Sequence, residues 1–90
     1  MSKAIVDPEE LRRFAGDLRK ATNEMQARMS GLQSRMSQLS ETWKDQEQTR
    51  FSEEFDQTLK VLARFVKAAE VHVPFLLRKA DRIDEYLNQR

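Results

Sequence analysis

The chain has 90 residues, room for one small domain. Its 16 Lys and Arg stand against 15 Asp and Glu, a net charge of +1, so charge gives no reason to expect nucleic acid or an anionic membrane as a partner. No cysteine and a single histidine exclude disulfides, thiolate chemistry and a multi-histidine metal site within one chain.

The sequence from Met1 to Val6 has one Lys but no long apolar run, so it does not read as a Sec-type signal peptide. No stretch approaches the roughly 20 apolar residues needed to cross a bilayer, and no stable membrane insertion is expected. If the protein is exported, the expected route leaves no signal peptide to cleave.

Helix signals begin at Asp7-Pro8-Glu9-Glu10. Asp7 is placed as N-cap, Pro8 occupies the first helical position, and Glu10 sits where it can close a capping box. An apolar row then advances in alternating steps of four and three through Leu11, Ala15, Leu18, Thr22, Met25, Met29, Leu32, Met36, Leu39 and Trp43, with Thr22 its one polar member. That spacing is the seam of a left-handed helix pair. Phe14 and Ala21 widen the stripe. Between Gln26 and Ser40 the only ionisable residues are Arg28 and Arg35, and small neutral residues beside a Met-rich seam suit the close approach of another helix. An ordinary weakly charged surface is the alternative.

Asp45-Gln46-Glu47-Gln48 reads as a second cap, with Asp45 as N-cap and Gln48 three residues on. A second row follows through Phe51, Phe55, Leu59, Leu62, Val66, Ala69, Val73, Leu76, Ala80, Ile83 and Leu87. Val61, Phe65, Ala68, His72 and Phe75 add a further apolar face, so this helix has more than one neighbour to satisfy. Pro74 removes the hydrogen bond to the Glu70 carbonyl, but the hydrophobic phase continues across it, favouring a kink over a break into a third helix.

These signals predict one all-α domain over residues 1–90, an antiparallel helical hairpin. Helix one covers about 8–42, the turn about 43–46, and helix two about 47–88 with a kink near Pro74. Each helix is about 50 Å long at 1.5 Å per residue. A lone pair shares one seam and builds no layered core, while ordering the chain costs about 1.5 kcal/mol per residue. Without disulfides or metals, oligomerisation is the remaining means of stabilisation, and two hairpins packed as a four-helix bundle bury the wide face of helix two. The expected hairpin and dimer core is Leu18, Met25, Met29, Leu32, Met36, Leu39, Phe55, Leu59, Leu62, Phe65 and Val66. A homodimer is expected ahead of a heterodimer, because near-neutral charge imposes no self-repulsion.

No pocket-forming chemistry stands out. Glu53, Glu54, Asp56 and the pair Asp81 and Asp84 fall on solvated faces, with no Gly-rich or loop segment to gather them around a substrate. The expectation is a non-enzymatic protein without a cofactor. The cations Arg12, Arg13, Arg19, Lys20, Arg28 and Arg35 are largely offset by Glu9, Glu10, Asp17, Glu24 and Glu41, which disfavours nucleic-acid binding. His72, among apolar neighbours, reads as a packed or rim residue. Trp43 reads chiefly as packing against Phe51, with a recognition role compatible with that.

A chain of this length with two helices, Trp43 at their junction, Phe51 eight residues on and the opening Ile5-Val6-Asp7-Pro8-Glu9-Glu10-Leu11 resembles the WXG family. These are the small early-secreted-antigen-like proteins exported by type VII secretion. The resemblance spans essentially the whole chain. It implies recognition in the cytoplasm by a membrane-bound secretion ATPase and export as a folded dimer, with Trp43, Asp45 and Phe51 as the turn motif. Two positions depart from the family pattern. Asp45 replaces the family's Gly, and the turn then requires Asp45 either to adopt φ > 0 or to cap helix two. The family's C-terminal export signal pairs a Tyr with an acid four residues later, whereas Tyr86 is followed at that spacing by Arg90. The chain therefore relies on a partner's signal, uses a variant signal, or serves inside the cell as a four-helix-bundle adaptor.

Overall fold

In the computed structural model, which describes residues 6–88, the chain forms two helices: α1 over Pro8–Thr42 and α2 over Gln46–Asn88. Asp7 starts α1 in an extended conformation, its carboxylate accepting a hydrogen bond from the Glu9 amide at 2.9 Å with Pro8 in the first turn. The Glu10 amide bonds the Asp7 backbone carbonyl instead, so Asp7 caps through the second helical amide rather than the third. At the other end Trp43 takes an extended conformation, and its amide donates to the Leu39 carbonyl at 2.9 Å. Trp43, Lys44 and Asp45 connect the helices.

The helices run antiparallel. Arg12 near the start of α1 reaches Asp81 and Asp84 near the end of α2, while Ser40 near the end of α1 meets Gln48 near the start of α2. α2 continues through Pro74 as one element, and no third helix forms among the described residues. The result is a rod with extents of 69 × 21 × 15 Å and a radius of gyration of 20.2 Å. A globular chain of this length has a radius near ~12 Å.

The buried seam is built from small and branched residues. Ala15 and Thr22 on α1 pack toward Leu59, Val66, Ala69, Val73 and Ala80 on α2. Thr22 is accommodated because its hydroxyl donates back to its own helix, to the carbonyls of Leu18 and Arg19, each at 3.0 Å. No buried side-chain polar atom among the described residues lacks a partner. Leu18, Met25, Met29, Met36, Phe55 and Leu62 are partly covered. Three residues of the expected core lie outside the seam: Leu32, Leu39 and Phe65 are 47%, 44% and 50% exposed. A two-helix seam covers only one narrow stripe of each helix, and these residues project beside it.

Candidate functional site

The turn is organised by Asp45 and Gln48. No described residue has positive φ, so Asp45 does not substitute for glycine by adopting a left-handed conformation. It caps α2: the Gln48 amide donates to Asp45 Oδ1 at 3.0 Å. The Gln48 side chain does not return the bond to Asp45. Its amide nitrogen donates across the hairpin to Ser40 Oγ at 2.8 Å and along α2 to Ser52 Oγ at 3.2 Å, while the Ser40 hydroxyl donates to the Met36 carbonyl. The end of α1 and the first turns of α2 are thus tied by side chains on both sides of the connection. Trp43 lies over Phe51 with ring centroids 5.8 Å apart, and Phe51 stacks on Phe55 at 5.7 Å. Trp43 is half-buried and Phe51 exposed, so an aromatic ladder caps the end of the rod with one side open to solvent.

At the opposite end Arg12 gathers three carboxylates: Glu9 at 2.8 Å, Asp81 at 2.8 Å and Asp84 at 2.6 Å. Hydrogen bonds to Asp81 and then Asp84 push the guanidinium pKa further up, against a smaller opposing effect of desolvation. Asp81 and Asp84 therefore serve an interhelical ion cluster. Sequence reasoning missed this cluster and the Gln48 bridge. The signal was the spacing of Asp81 and Asp84 on one helical face, and only the register of the hairpin connects it to Arg12. Tyr86, just beyond the cluster, is exposed. Arg90 lies outside the described residues.

Between these ends the two sides of the rod differ in chemistry. On one side a groove of about 430 Å³ is lined by Phe14, Leu18, Phe65, His72, Phe75 and Leu76. It is followed along the rod by a second groove over Ala21, Met25, Leu32 and Leu62. Phe14, Phe65 and Phe75 are each at least half exposed. On the other side of the seam the grooves mix Met29, Ala63, Met36 and Phe55 with Gln26, Ser30, Gln33, Ser37, Ser52, Asp56 and Lys60, so that side is more polar. Phe14, Phe65 and Phe75 border one groove together, so their exposure is contiguous rather than scattered, the pattern that marks an interaction surface. Among the described residues no cluster of His, Asp or Glu is placed to hold a metal ion, and no helix is long and apolar enough to cross a membrane.

Residues 4–85 match the family described as WXG100, proteins of 100 residues with WXG. This chain belongs to that family. Solved structures agree in fold. The wild-type secreted protein EsxB from Bacillus anthracis strain Sterne is 28% identical with a TM-score of 0.81, over 94% of this chain and 99% of that one. Its selenomethionine-labelled form gives 28% identity and a TM-score of 0.79, over 96% of this chain and 98% of that one. Comparison with curated proteins finds no match. As a WXG100 protein the chain is a helical hairpin whose tripeptide reads Trp43-Lys44-Asp45, and its capping geometry accounts for the acid in the third position.

Proposed function

We propose that this WXG100 protein is a non-enzymatic partner or substrate of a type VII secretion system, acting by protein–protein interaction as a folded dimer. The observation that carries the reading is the one-sided apolar surface: a hairpin leaving Phe14, Leu32, Phe65 and Phe75 in water on one face is half of a bundle. Family membership and the secreted EsxB relative support export, and a secretion ATPase is the expected recognising partner. The protein is then cytoplasmic until exported and reaches the medium without a cleaved signal peptide.

The test is fractionation of culture medium with and without the secretion ATPase. Accumulation in the medium that depends on the ATPase supports the reading, and retention in the cells under both conditions overturns it. Retention would leave the intracellular adaptor, which Arg90 in place of an acid four residues after Tyr86 favours. Two variants sharpen the assay. Trp43→Ala is expected to reduce export more than it reduces folding, and Arg90→Glu is expected to make export less dependent on a partner's signal.

A further inference from the structure

The near-neutral charge of the whole chain hides an uneven distribution along α2. Residues 57–80 hold Lys60, Arg64, Lys67, Arg78 and Lys79 with Glu70 as the single acid, a net charge of +4 that leaves −3 for the rest of the chain. Lys60, Arg64, Lys67, Val71, Arg78 and Arg82 follow one another at intervals of four, three, four, seven and four residues, the spacing of a single helical row. α2 is continuous over that span, so the row extends for about 33 Å, and Glu53 and Glu85 bound it at its two ends.

All six residues are exposed, whereas Leu59, Val66, Ala69, Val73 and Ala80 of the same helix are buried in the seam. At about 100° per residue the row lies roughly 150° around α2 from those seam residues, on the face turned away from α1. Among the described residues the ion pairs all belong to Arg12, and none of the row's cations takes part in one. Val71 stands in the middle of the row and is 66% exposed, the highest value of any large hydrophobic side chain among the described residues. It lines neither apolar groove, so a partner covering those grooves leaves it in water.

An anionic membrane surface accounts for both features, offering headgroup charge to the cations and an apolar boundary just beneath to Val71. A nucleic-acid backbone would meet the cations but offer nothing apolar to the valine. An acidic helix docks by laying its apolar side in a groove, and this row stands on the convex back of α2. We propose that the outer face of α2 adsorbs the protein to anionic membranes, with Lys60, Arg64, Lys67, Arg78 and Arg82 over the headgroups and Val71 at the acyl boundary. The contact is peripheral, since no described helix is long and apolar enough to cross a membrane. It leaves the apolar grooves unused and is independent of the dimer reading above.

The experiment is co-sedimentation of the full chain with vesicles of equal parts phosphatidylglycerol and phosphatidylcholine, beside vesicles of phosphatidylcholine alone. Wild type is expected to bind the anionic vesicles at ~0.1 M salt, to be released at ~0.5 M, and to leave the neutral vesicles bare. Each cation over an anionic surface accounts for about fivefold in partitioning, so the triple variant Lys60→Gln, Arg64→Gln, Lys67→Gln is expected to bind about a hundredfold more weakly. Val71→Ser is expected to weaken binding a few-fold. A control triple variant, Arg13→Gln, Arg19→Gln, Lys20→Gln, removes the same charge from α1 and is expected to lose far less, and circular dichroism shows that each variant is helical. Equal losses from the two triple variants would mean that overall charge rather than this face is bound, and would overturn the proposal. Equal binding to neutral vesicles would overturn it in favour of the apolar grooves. Binding to duplex DNA or polyglutamate without binding to the anionic vesicles would assign the row to another polyanion and overturn the membrane.

Discussion

Asp45 shows how one side chain can replace a backbone property. Glycine at this position supplies conformational freedom, and Asp45 instead caps α2 through its carboxylate without positive φ. Asp45→Ala is therefore expected to cost about 1 kcal/mol, Asp45→Gly only a few tenths, and Asp45→Val more than Gly, in denaturant melts of the protein. If Asp45→Gly proved the most costly of the three, the capping role would be wrong. Gln48 acts in the same region by a different route, joining α1 to α2 through Ser40. Gln48→Ala is expected to cost about 0.5–1.5 kcal/mol, the net value of a partly buried hydrogen bond. Arg12 performs the corresponding task at the far end. Its raised pKa favours the folded state below the ordinary guanidinium value and loses that effect only as pH climbs through the raised one, so the cluster is insensitive to loss of the Arg12 proton near neutrality.

The two helices divide their apolar residues between seam and surface, and substitutions in the two groups differ in kind. Leu59 is 5% exposed within the hairpin, so Leu59→Ala is expected to cost about 2–5 kcal/mol at any protein concentration. Leu32 is nearly half exposed there, and a cost of that size for Leu32→Ala requires a second chain to cover it. Its effect is thus expected to depend on protein concentration, measured as the shift in melting temperature across a dilution series. Gly31 offers a complementary test. A Cβ at Gly31 would meet nothing within 4 Å, so the hairpin itself gives no reason for glycine in the middle of α1. Gly31→Ala is expected to stabilise by about 0.5–1 kcal/mol, and destabilisation would place another helix against this weakly charged stretch.

A rod with a radius of gyration of 20.2 Å and, among the described residues, no large side chain fully enclosed lacks the layered core that stabilises a single domain. The whole molecule is therefore expected to be a dimer at micromolar concentration, at about twice its 10.6 kDa mass by light scattering. A stable, well-folded species at the single-chain mass would overturn that expectation. The aromatic ladder at one end and exposed Tyr86 near the other do not line the apolar grooves between them. A dimer formed through those grooves can leave both ends available to further partners.

What the sequence determined by itself is the class of structure and its amphipathic design. Rows from Leu11 to Trp43 and from Phe51 to Leu87 repeat at helical spacing, and with no strand pattern or covalent cross-link available they lead to a helical hairpin. Helical periodicity is local, since it needs only neighbours three and four residues away. The tertiary structure decided which members of each row are shared. Leu59 and Val66 enter the seam, whereas Leu32 and Leu39, at equally suitable spacing, remain exposed beside it. Long-range register also decided that Arg12 meets Asp81 and Asp84, and that Gln48 turns from its own cap to Ser40. Those contacts depend on how far one helix slides against the other, a quantity fixed by packing along the whole seam rather than by the residues that end up touching.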